Sequence, residues 1–97
     1  MKSAFYVVLN MKKGETFEAF GKFFIGHDRD FAYQLFSRLE GNESVRESDI
    51  LHMDLVETVD GLPVNMKVIN CKLEQLAMNC RILTKEIFKA RNLEELE

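Results

Sequence analysis

Residues 4–11, Ala-Phe-Tyr-Val-Val-Leu-Asn-Met, are aromatic and β-branched, with apolar side chains on both alternating faces. That pattern predicts an inner β-strand. Lys12-Lys13-Gly14 follows and reads as a three-residue hairpin loop with Gly14 in the left-handed region. Such a loop sets Met11 opposite Glu15, Leu9 opposite Phe17, Val7 opposite Ala19 and Phe5 opposite Gly21. The second strand then runs from Thr16 to Ile25. Phe17, Phe20 and Phe24 also fall on one stripe at helical spacing, so a helix competes for this segment. Gly21, Gly26 and the Phe and β-branched residues spread around the cylinder tip the reading to strand. In that reading Phe5, Phe17 and Phe23 face one side, and Tyr6, Val8, Phe20 and Phe24 face the other.

Asp28 is placed to cap a helix from Arg29 to about Glu40, whose stripe is Phe31, Ala32, Leu35, Phe36 and Leu39. After a polar connection over 42–49, Asp60-Gly61 divides two alternating runs, 51–59 and 62–69. This is a type I′ hairpin signature. It pairs Val59 with Leu62, Glu57 with Val64, Leu55 with Met66 and Met53 with Val68. Leu51, Met53 and Leu55 then share a face with Val64, Met66 and Val68, and His52, Asp54, Thr58, Asn65 and Lys67 occupy the other. Pro63 lacks a backbone N–H and suits a sheet edge. A long helix is expected from Lys72 to about Arg91 with Asn70 as cap. Its buried stripe reads Leu73, Leu76, Ala77, Cys80, Leu83, Thr84, Ile87 and Phe88. Met78 and Ile82 make a smaller apolar patch on its outer side, and a tail over 92–97 is expected to fray.

The order strand, strand, helix, strand, strand, helix predicts an α+β, two-layer sandwich: a four-stranded antiparallel sheet with both helices on one face. The chain has 97 residues, 46% of them apolar, which fits a single domain over 1–97. No apolar run approaches the roughly 20 residues of a membrane-spanning helix. The run Ala4–Leu9 is short for a signal-peptide core and has no small-residue cleavage site after it, so no leader is expected. Lys and Arg total 13 against 16 Asp and Glu, a net charge of −3, with no basic cluster. Nucleic-acid binding, which rests on phosphate neutralisation, is therefore not expected. The two cysteines form no C-x-x-C pair or disulfide framework and are read as reduced thiols in the cytoplasm.

Signatures for phosphate-cradling loops and nucleophile elbows are absent. His27 lies at a strand-to-helix junction beside Asp28 and Asp30, while His52 and Asp54 project from the polar face of the third strand. Imidazole and carboxylate could hold a divalent metal if these groups converged, although no local spacing pre-forms such a site. Cys71 precedes the long helix, where the helix dipole can lower a thiol pKa, and His52 is the available base. Each has a plainer reading: a cap beside a solvated histidine, an exposed polar row, and a small buried apolar side chain.

The remaining feature is the sheet face away from the helices, where Tyr6, Val8, Phe20 and Phe24 would form an apolar patch alternating with Glu18 and Lys22. The expectation is a non-enzymatic cytoplasmic domain that self-associates as a homodimer, or binds a protein partner, through that face. The alternative is a small-ligand or regulatory module with a pocket at a dimer seam. An enzyme using Cys71 with His52, or a metal held by His27 and His52, ranks third. No cofactor is called for.

Overall fold

The computed structural model describes residues 3–44, 46 and 48–96, with side chains to Arg91. Its elements are β1 (Ser3–Lys13), β2 (Thr16–Gly26), α1 (Arg29–Ser37), β3 (Leu51–Val59), β4 (Leu62–Asn70) and α2 (Leu73–Leu96). The strands form one antiparallel sheet in the order β2-β1-β3-β4. Phe5, Val7 and Leu9 of β1 and Met53 and Leu55 of β3 share one core with Ala32, Leu35 and Phe36 of α1 and Leu76 and Leu83 of α2. Both helices thus lie on one face, and the expected ββαββα sandwich is the observed fold. Among the described residues, no helix is long and apolar enough to cross a membrane.

The first hairpin departs from the expected register. Its loop is the two-residue Gly14-Glu15, with Lys13 opposite Thr16 and Lys12 opposite Phe17. Gly14 has φ 66° while Glu15 keeps a negative φ, the arrangement of a type II′ turn. Two register shifts follow, between Leu9 and Asn10 and between Phe5 and Tyr6, which leave Phe20 and Ile25 as extra residues of β2. The shorter loop moves Phe17 to the side of Tyr6, away from Phe5 and Phe23. The second bulge turns Ile25 into the core, at 9% exposure.

The second hairpin keeps its expected turn, with φ 52° at Asp60 and 82° at Gly61. Val59–Leu62 and Glu57–Val64 pair as the pattern implies. A bulge at Met66 then sets Leu55 opposite Lys67 and Met53 opposite Ile69. In consequence Ile69 enters the core, Val68 moves to the open face, and Lys67 lies on the helix side with its Nζ 5.6 Å from the Tyr33 ring.

Helix α1 begins as expected: Asp28 Oδ1 accepts from the backbone N–H of Asp30 at 2.9 Å and of Phe31 at 3.2 Å. It ends earlier, at Ser37, with Arg38 as C-cap. Helix α2 is not capped by Asn70, whose backbone pairs with Asn42 at 2.9 Å in both directions. Instead the Lys72 N–H donates to Gln75 Oε1 at 2.9 Å, half of a capping box. The helix is also rotated from its expected setting. Leu76, Asn79 and Leu83 point inward and Ile82 packs against the core, whereas Leu73 and Phe88 are exposed. Asn79 explains the rotation: its Oδ1 accepts from the Glu40 N–H and its Nδ2 donates to the Glu40 carbonyl, each at 2.7 Å. A fully buried amide needs such partners, and aiming it at Glu40 turns the 73/77/84/88 row outward. The segment expected to fray is helical through Leu96; Glu97 lies outside the described residues.

Candidate functional site

The face of the sheet opposite the helices is built from alternate residues of β1 and β3 and the matching positions of the edge strands. Tyr6 and Phe24 are cross-strand partners, with ring centroids 5.3 Å apart and planes tilted by 49°. The Lys22 Nζ stands 4.1 Å from the Tyr6 ring centroid, a cation–π contact that holds the lysine along the face. Val8 continues the row, and Val56 lies nearly buried beneath it. Tyr6, Val8, Lys22 and Val56 join Asn10, Asp54 and Thr58 around a shallow depression of about 340 Å³, bounded by Pro63 and Asn65 of β4.

At the other end of the face, Phe17 stacks on His52 at 4.3 Å with a 19° angle between planes. The stack follows from the two-residue loop, since only that register brings Phe17 to this side. Beside it, His52 Nε2 and Asp54 Oδ1 are shielded from water without a hydrogen-bond partner. Burial pushes the Asp54 carboxyl above its usual range, while the Asn10 side chain and the charge of His52 draw it back down. The face therefore has an aromatic end and a polar centre, with a second aromatic contact beyond.

Of the expected interface residues, Tyr6, Val8 and Phe24 share this face. Phe20 departs from the row: it is the extra residue at the Leu9/Asn10 register shift, half-exposed at the sheet edge. A bulge residue has no cross-strand partner of its own, so strict alternation misplaces it.

The proposed metal and thiol chemistry does not assemble. His27 sits by the start of β1, its Nδ1 2.8 Å from the Ser3 carbonyl oxygen and its ring edge-on to Phe24 at 5.5 Å. His52 pairs with Asn10, about 20 Å further along the same strand. Among the described residues, no group of three or more His, Cys, Asp or Glu could hold a metal ion. Cys71 lies in the core on the helix side, whereas His52 faces the other side of the sheet. Burial pushes the Cys71 thiol up to about 11, the opposite of activation, although Asn79 draws it partly back. Cys80 is likewise raised by burial.

Two polar anchors escaped the sequence reading. Arg29 NH2 donates to both carboxylate oxygens of buried Glu57, at 3.0 and 2.9 Å, fixing the start of α1 to β3. The signal was present: Glu57 occupies a core-side position of β3, and a charge there requires a partner. Asn79, flanked by Leu76 and Leu83 at helical spacing, carried the same kind of signal. Beyond the face, a groove of about 720 Å³ runs between the end of β2 and the last turns of α2, where Arg91 lies 5.9 Å from the Phe24 ring. No family model, curated protein or solved structure matches this chain.

Proposed function

We propose that the 97 residues act as a single non-enzymatic domain that self-associates, or docks a protein partner, through the open face of the sheet. The observation that carries this reading is the Tyr6–Phe24 pair with Val8 alongside, an apolar row on the face away from the helix layer, which α2 approaches at the Phe24 end through Arg91. Lys22, Asn10 and Thr58 edge the row and supply the polar rim of an interface. A second copy is the favoured occupant, because a two-fold axis lets one patch bury itself against its equivalent. Both thiols are free, which fits the reducing conditions of the cytoplasm.

A second reading, a small-ligand module, is favoured by the depression that Asp54 and Asn65 line, where a ligand donor could meet the carboxylate. Light scattering separates the two. With self-association through this face, Phe24→Glu, and independently Tyr6→Glu, halves the mass while far-UV circular dichroism stays unchanged. Unchanged mass in both variants overturns self-association at this face and leaves the ligand reading.

A further inference from the structure

Helix α2 has more apolar residues than its core-facing side uses. With Asn79 directed at Glu40, the helix displays Leu73, Ala77, Thr84 and Phe88 outward, of which Leu73 is 72% and Phe88 66% exposed, and half-buried Cys80, which packs against the core, borders this row. Large side chains stand at the two ends of this row and small ones between them. The Thr84 hydroxyl donates to the Cys80 carbonyl at 2.7 Å, so its polar demand is met within the helix and its methyl is free for packing.

Arg81, Thr84, Lys85 and Phe88 bound a hollow of about 490 Å³ on this outer surface, with Cys80 at its edge. Their spacing, i, i+3, i+4 and i+7, is that of a socket into which one side chain of a facing helix inserts. The exposed apolar side chain suited to fill it is Leu73, which lies two to four turns away on the same helix and cannot reach its own socket. It can reach the socket of another molecule.

We infer that α2 pairs antiparallel with α2 of a second copy, each Leu73 entering the other's socket. One register follows. Ala77 lies against Cys80 of the second copy, so small residues meet near the two-fold axis and the helices approach closely. Glu74, next to the knob, falls between Arg81 and Lys85 of the second copy. Two-fold symmetry repeats every contact, so an acidic position at one end of the seam meets a basic pair at the other end twice. This charge complementarity, together with the match of knob and socket, identifies the occupant as the chain itself.

The contact is independent of the open sheet face, since α2 lies on the other layer. If both operate, each chain has two distinct two-fold contacts and the wild-type mass reaches at least four chains.

The experiment uses full-length protein and light scattering at tens of micromolar. Leu73→Glu halves the mass. Glu74→Lys alone halves it, because the new lysine faces Arg81 and Lys85 of the second copy. The double variant Arg81→Glu/Lys85→Glu also halves it, by facing Glu74 with two acids. Mixing these last two proteins in equal amounts restores the wild-type mass, since each charge then meets its opposite. All the altered side chains are exposed, and unchanged circular dichroism verifies that they fold. A mixture that stays at the halved mass, or charge variants that keep the full mass, overturns the inference. Phe24→Glu leaves the charge-swap rescue intact, so failure of the sheet-face contact and failure of the helix contact are told apart.

Discussion

The two hairpins rest on turns of the same length and each joins a buried inner strand to a largely exposed outer one, and the inner and outer strands serve the molecule in opposite ways. In β3–β4, the inner strand β3 supplies Met53 and Leu55, both fully buried, together with Glu57 and its Arg29 partner. In β1–β2, the outer strand β2 buries only Ile25 among its residues, with Phe23 packed partly against the core. Phe17 and Phe24, although larger, lie on the far side of the sheet. Bulges decide which residue of each outer strand turns inward. In β2 the extra residues are Phe20 and Ile25, one left at the surface and one turned inward. In β4 the extra residue is Met66, and its effect is to bring Ile69 into the core. One inserted residue exchanges the faces of everything beyond it, because side chains alternate with a period of two.

The largest test of this contrast is packing. Leu55→Ala removes a fully buried side chain from β3 and costs about 2–5 kcal/mol in urea unfolding. Phe17→Ala removes a larger side chain from β2 yet costs less than about 1 kcal/mol, because its ring is 41% exposed and stacks only on His52. Equal losses at the two positions would show that β2 is as much a core strand as β3. The turns give the next largest effect. Gly14→Val and Gly61→Val each place a β-branched residue at positive φ and cost at least about 1 kcal/mol. Their neighbours then separate the turn types. Asp60→Ala destabilises, because position 60 also has positive φ, while Glu15→Ala is close to neutral. A cost at Glu15 matching that at Asp60 would mean that the two turns are of one type.

How far the chain could be read follows from the same physics. Asp60-Gly61 is a two-residue turn with a compositional signature, so its hairpin is legible, as are the N-cap at Asp28 and the stripe Ala32, Leu35 and Phe36. The β1–β2 loop was one residue harder: Gly14 is visible as a residue of positive φ, but its place within the loop is not. A single misplaced residue sent Phe17 to the wrong face and hid its stack on His52. Bulges at Phe20, Ile25 and Met66 carry no composition signal of their own. The setting of α2 was lost for another reason. Hydrophobic periodicity assigns leucine and phenylalanine inward, but a buried hydrogen-bonded amide at Asn79 decided the rotation. Three of the four expected face residues hold that face: Tyr6 and Val8 because β1 alternates without interruption, and Phe24 because the bulge at Phe20 cancels the one-residue displacement of the loop.

The smallest expected effect lies where the two hairpins meet. Asp54 of β3 stands opposite Val8 of β1 and Val68 of β4, on the open face. The groups that face it are Asn10 and His52, both of which draw its pKa down, while burial raises it by more. The folded chain therefore holds the Asp54 proton more tightly than the unfolded chain, where the carboxyl titrates near 3.8. As pH rises from that value through the raised one, the unfolded state releases its proton first. Stability falls across this window and remains lower above it. Asp54→Asn keeps the shape and removes the titration. Its melting temperature, compared with wild type between pH 3 and 7, should show a gain that is greatest at pH 7 and shrinks as the wild-type carboxyl becomes protonated. Glu86 provides a control of opposite sign. Hydrogen bonding to Arg38 lowers its pKa, so its contribution is present at neutral pH and lost as pH falls through the lowered value. A melting difference for Asp54→Asn that does not change with pH would place Asp54 in water, and the polar centre of the open face would then be a solvated row rather than a buried strip between the hairpins.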